Sequence, residues 1–108
     1  MSVKNMNGGI FDKYIAEADK PVLVIFQSNW CIYCKRLAPA IKDIAEMHAY
    51  DLTVGQVDID LSTDLAKREN VQVVPTFVLY NHGKVLGSIT APDSRDKIEA
   101  FIHKHLDL

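Results

Sequence analysis

Val22-Leu23-Val24-Ile25-Phe26, then Gln27-Ser28-Asn29, then Trp30-Cys31-Ile32-Tyr33-Cys34-Lys35-Arg36-Leu37, is the stretch on which the fold turns. The apolar run at its head is strand length and rich in β-branched residues. It reads as a strand buried on both faces, the kind found in α/β proteins with helices on each side of the sheet. After Cys31 the pattern changes. Leu37, Ile41, Ile44 and His48 share one helical face and predict a helix over about 31–49. Pro39 lies inside it, where it frees the carbonyl of Lys35 and should kink the axis.

The junction carries the only two cysteines of the chain, Cys31 and Cys34. A Cys-x-x-Cys can be a redox dithiol, half a zinc site or chance. The helix start offers partial positive charge and free N–H groups, which stabilise a thiolate. The spacing sets Cys34 one turn on, near enough for a disulfide. So small a ring removes little unfolded-chain entropy, which suits a switch better than a staple. On this reading Cys31 is the exposed nucleophile and Cys34 the shielded resolving thiol. For zinc, the histidines are His48, His82, His103 and His105. His103 and His105 point to opposite sides of a predicted helix and cannot chelate jointly. No metal site is expected. An iron–sulfur cluster shared between two chains is a further, minor reading.

Working outward, Ile10, Phe11, Tyr14, Ile15 and Ala18 predict a helix over about 10–19, stopped by Lys20-Pro21. Leu52 to Ile59 reads as a strand, and Asp60 or Ser62 as the cap of a short helix ending near Arg68. Thr76–Tyr80 and Val85–Ile89 read as strands joined by an Asn81-His82-Gly83 turn. Ser94 or Asp93 caps a last helix with an apolar face of Ile98, Phe101, Ile102 and Leu106. The order is α β α β α β β α, with a weak extra strand near Val3. With 108 residues, 48% hydrophobic and 24% charged, the chain reads as one globular domain over 1–108. A net charge of −2 leaves no basic surplus for nucleic acid. The polar N-terminus suggests no secretory signal and no run is long enough to span a membrane. A soluble, cytoplasmic monomer with no membrane partner is expected.

Trp30-Cys31-Ile32-Tyr33-Cys34-Lys35 with Leu37-Ala38-Pro39 resembles the active-site helix of thioredoxins. Val74-Pro75-Thr76 is similar to that family's cis-proline loop, and Asn81-His82-Gly83-Lys84 to its hairpin. The likeness runs from about Phe11 to Leu106. It implies an α/β thioredoxin fold: a central mixed sheet of four to five strands flanked by helices on both faces. It also implies a protein-disulfide reductase with no bound cofactor. Cys31 would attack a substrate disulfide and Cys34 would resolve the mixed disulfide. Pro75 would be cis and face the cysteines, with the backbone of Val74 pairing to the substrate chain. Trp30, Ile32, Tyr33, Val74, Pro75 and Ala91 would contact substrate. The implied partners are oxidised proteins and, as electron donor, a thioredoxin-reductase-like flavoenzyme or a small thiol.

The chain departs from that pattern in ways that bear on chemistry. Ile32-Tyr33 stands where thioredoxins usually carry Gly-Pro, and the Tyr resembles glutaredoxins. Ile25 stands where they bury an aspartate behind the second cysteine, and Gln56 where its lysine partner lies. Losing both together leaves no unpaired charge, but it leaves Cys34 to pass its proton to water or to Cys31, with slower resolution. Ala91 replaces a usual glycine and Gln27 a second tryptophan. Competing readings are a glutaredoxin-like, isomerase or oxidase protein with a more oxidising potential, and a non-catalytic binding module.

Overall fold

The computed structural model describes residues 3–107. Its central strand is β2 (Val22–Gln27), the apolar run above. Around it lie β1 (Lys4–Met6), β3 (Thr53–Asp58), β4 (Thr76–Asn81) and β5 (Lys84–Thr90), in the order β1-β3-β2-β4-β5. β1 and β2 run parallel to β3, whereas β4 runs antiparallel to both β2 and β5. The sheet is therefore mixed and five-stranded, and the weak strand expected near Val3 is its edge strand β1.

The pleat sends alternate residues of β2 and β4 to opposite faces. Leu23, Ile25, Phe77 and Leu79 meet α2 (Ile32–Met47) and α4 (Arg95–His105) on one side. Val22, Val24, Phe26, Val78 and Tyr80 meet α1 (Phe11–Glu17) and α3 (Thr63–Arg68) on the other. An apolar run without alternation is the sequence signature of this two-sided burial. α2 runs unbroken through an exposed Pro39 and buries the stripe Cys34, Leu37, Ile41, Ile44 and Ala45. No helix among the described residues is long and apolar enough to cross a membrane.

The expected caps divide. Ser94 accepts from the Lys97 N–H at 3.2 Å and starts α4. Ser62 precedes α3 but its side chain makes no capping bond. Asp60 does not cap either: its carboxylate accepts from Ser28 Oγ at 2.6 Å. The β4–β5 turn is tighter than predicted. Asn81 already pairs with Lys84, leaving His82 and Gly83 at φ 52° and 80°. Two positive-φ residues match the right-handed twist of a hairpin, and glycine takes the second without a Cβ penalty. At the far end of α4, His105 stacks edge-on against Phe101, 5.1 Å between ring centres. Its ring covers Gly87 so closely that a Cβ there would come within 2.5 Å of it.

On the α1/α3 face three aromatic rings pack together. Phe11 packs on Phe26 and edge-on against Tyr80, at 6.3 and 5.5 Å. The Tyr80 hydroxyl donates to Glu69. Arg68 bonds Glu69 and clasps both carboxylate oxygens of Asp12, at 2.9 and 2.7 Å. Burial first, and then the bond to Glu69, push the Tyr80 phenol far above its usual range.

Candidate active site

Cys31 is the N-cap of α2, with extended backbone, and its sulfur accepts from the Cys34 N–H at 3.1 Å. An N-cap side chain ordinarily uses oxygen for this bond. Here sulfur takes the position, at the positive end of the helix dipole. The first turn holds no acidic residue that would oppose a thiolate, and Lys35 and Arg36 follow. Cys31 and Cys34 are bonded as a disulfide with Cα atoms 5.2 Å apart, inside the usual range for a bridge.

One expectation needs correction. Cys31 reads from sequence as the exposed member, but in the disulfide both are buried, at 6% and 3% exposure. The Cys31 sulfur lies against the first helical turn, bonded to Cys34 and accepting from its N–H.

Sequence reasoning missed the residues that hold the approach to Cys31. Ser28 is buried and receives three neighbours. Its carbonyl accepts from the Cys31 N–H at 3.2 Å. Its hydroxyl accepts from the Trp30 N–H at 3.4 Å and donates to Asp60. The link to Asp60 ties the β2–α2 loop to the end of β3, 32 residues away. A Ser three residues before a Cys carries no local signal of this, because the partner is set by the parallel β2–β3 pairing.

Three loops meet around the disulfide. Trp30 and Ile32 stand out at 68% and 67% exposure, as a rim. The Val74–Pro75 peptide is cis, Pro75 is buried, and the half-buried Val74 sets its carbonyl 4.0 Å from the Cys31 sulfur. The Pro75 carbonyl accepts from the Ala91 N–H at 2.8 Å. Ala91 is exposed, at φ 44°. That left-handed geometry costs a residue with a Cβ about 1–2 kcal/mol, which explains why glycine suits the position. Tyr33 is half-buried rather than free, and its hydroxyl donates to the Pro92 carbonyl at 2.6 Å. It thereby ties the first turn of α2 to the β5–α4 loop. Of the six expected contact residues, Trp30, Val74, Pro75 and Ala91 lie on these loops and Ile32 and Tyr33 on the first turn of α2.

On the face of the sheet that α2 covers, position 25 is hydrocarbon. Ile25 is 1% exposed and belongs to the α2/α4 core. The buried polar side chains among the described residues are Ser28, His48, Ser62 and Thr76; none is a carboxylic acid or an amine. Gln56, registered beside Ile25, turns its amide to the Asn5 side chain. The arrangement offers a vicinal pair of sulfurs, the Cys34 N–H aimed at the Cys31 sulfur, and an open apolar rim.

A family profile described as Thioredoxin matches residues 2–104. The chain is 31% identical over 104 residues to a thioredoxin of Buchnera aphidicola subsp. Baizongia pistaciae, covering 96% of this chain and 95% of that one. Thioredoxin C-2 of Corynebacterium nephridii is 27% identical over 97% of each chain. A thioredoxin of Mycobacterium tuberculosis is 39% identical over 70 residues, 65% of this chain and 60% of its own. With the five-stranded mixed sheet and the bonded Cys-x-x-Cys at a helix start, these matches establish that the chain belongs to the thioredoxin family and is a thiol–disulfide oxidoreductase.

Proposed function

We propose that the chain works as a single-domain, cytoplasmic, monomeric reductase of protein disulfides. The observation that carries this reading is the Cys31 sulfur at the N-cap of α2, with the Cys34 N–H aimed at it. In the reduced protein the same N–H and the helix dipole stabilise a Cys31 thiolate. That thiolate attacks one sulfur of a substrate disulfide, and the other sulfur leaves as a thiolate. Cys34, losing its proton to water or to the substrate thiolate already released, then attacks the Cys31 sulfur and expels the second substrate thiolate. Two electrons pass to the substrate, solvent protons quench its thiolates, and Cys31–Cys34 becomes the disulfide. Trp30, Ile32 and Tyr33 on one side, and Val74, Pro75 and Ala91 on the other, bracket an extended substrate chain. A flavoenzyme of the thioredoxin-reductase kind or a small thiol restores the dithiol, and no bound cofactor takes part.

The test is Cys34→Ser. Incubated with an oxidised protein substrate, this variant should accumulate a mixed disulfide through Cys31 that dithiothreitol releases; Cys31→Ser should accumulate none. If Cys34→Ser traps nothing while the oxidised wild type retains its disulfide, the reading fails. A second reading, with a more oxidising potential, is favoured by Ile32-Tyr33 over the helix start and by the lack of a proton acceptor near Cys34. Titration of the wild-type pair against a thiol buffer, read by Trp30 fluorescence, separates the two. A potential near about −270 mV, the value characteristic of thioredoxins, supports the reductase; one tens of millivolts higher supports the alternative.

A further inference from the structure

We propose that His48, Glu99 and His103 form a binding site for a borderline divalent cation of the zinc class, clamping the C-terminal end of α2 to α4. His48 Nε2 lies 2.7 Å from Glu99 Oε1, and His103 Nε2 lies 4.0 Å from the same oxygen. One donor atom from each of the three residues lies within 4.8 Å of the other two. Zinc holds nitrogen and oxygen at about 2.0–2.2 Å in a tetrahedron, which sets its ligand atoms roughly 3.4 Å apart. The observed separations bracket that value. Shifts of about 1 Å per pair would seat an ion, with water in the fourth position.

Two imidazoles and one carboxylate are a donor set suited to zinc, and the fold presents two of the three in fixed places. His48 is buried where α2 ends. Its N–H bonds the Ile44 carbonyl, and its own carbonyl accepts from the N–H groups of Asp51 and Leu52. Glu99 and His103 stand four residues apart on α4, hence on one face. His103 is half-exposed and free to swing onto an ion. The plain alternative is a His48–Glu99 hydrogen bond linking two helices. That accounts for two residues and leaves His103 beyond hydrogen-bond reach of Glu99 with its ring edge-on to His48, 6.0 Å between centres. A cation uses all three.

The site lies at the opposite end of α2 from the cysteines. Sixteen residues at about 1.5 Å each put it roughly 24 Å along the helix. An ion there leaves the redox pair alone and acts on the fold, by binding the native state and not the unfolded one.

The test uses the tag-free full chain in its disulfide form, so that the cysteines cannot serve as ligands. Zinc chloride is titrated calorimetrically and the thermal midpoint is followed with and without the metal. One ion should bind per chain and raise the midpoint. His103→Gln should leave the metal-free midpoint in place, weaken zinc at least about tenfold and abolish the rise. His105→Gln, two residues on, should bind as the wild type does. Absence of saturable binding, or binding that survives His103→Gln, would overturn the proposal.

Discussion

The two faces of the sheet bury their side chains by different means. On the α2/α4 face, Leu23, Ile25, Phe77 and Leu79 of β2 and β4 meet only hydrocarbon from the core stripe of each helix. On the α1/α3 face the same strands present Phe26 and Tyr80, and the Tyr80 hydroxyl leads outward through Glu69 to Arg68 and Asp12. A polar group is carried inside the second face because a chain of partners takes its hydrogen bond to the surface. The first face carries its polar link only where α2 ends, at the buried His48 and its bond to Glu99; around Ile25 it is hydrocarbon. The contrast leaves hydrocarbon rather than an acid at position 25, on the face of the sheet that α2 covers, and three substitutions sharpen or break it.

The largest effect is expected from Ile25→Asp. A carboxylate at a position 1% exposed, with no cation in that core, should cost about 3–5 kcal/mol in urea unfolding of the oxidised protein. Its folded pKa would lie above the usual ~3.9. The folded state then binds the proton more tightly, so the loss should deepen as pH rises from about 4 towards neutrality. A variant as stable as the wild type at pH 7 would show that the face can host a charge after all.

Tyr80→Phe comes next. It removes a hydroxyl donor from a half-buried Glu69, and a loss of about 1 kcal/mol is expected at neutral pH. The pH dependence has a definite sign. The fold raises the Tyr80 pKa above its ordinary 10.0, so the stabilisation is complete below pH 10 and is lost above it, as the unfolded phenol ionises. The gap between wild type and variant should therefore shrink under alkaline unfolding. A constant gap would mean that the hydroxyl is not sequestered.

Asp12→Asn should have the smallest effect. The hydrogen bond from Arg68 holds the Asp12 carboxyl below its usual range, so any contribution is present at neutral pH and fades as acid protonates it. Both groups face water and salt screens them. No change in thermal midpoint is expected at physiological ionic strength. A drop matching that of Tyr80→Phe would show that the outward chain acts as one unit.

Much of this was legible in the sequence, and the boundary has a physical cause. Val22–Phe26 announced two-sided burial, Leu37, Ile41 and Ile44 announced the face of α2, and Ser94 announced the start of α4, because each is a periodic or nearest-turn signal. Cys31 and Cys34 were legible for the same reason. What stayed hidden was every pairing that depends on which elements become neighbours. Ser28 finds Asp60 across 32 residues, His48 finds Glu99 across 51 and Tyr33 finds Pro92 across 59. Along one helix alone His103 has only His105 for comparison; packing sets His103 beside His48 instead.

Gly87 illustrates how an outer strand can be roofed by a residue it does not own. β5 lies at the margin of the sheet, where no further strand shields it, and the last turn of α4 reaches over it. The strand supplies a vacancy and the helix supplies the ring of His105 to fill it. A larger side chain at position 87 would add no cover: it would unseat the imidazole and uncover Phe101 beside it. The smallest residue in the strand is therefore the one that lets the imidazole rest on the sheet's margin.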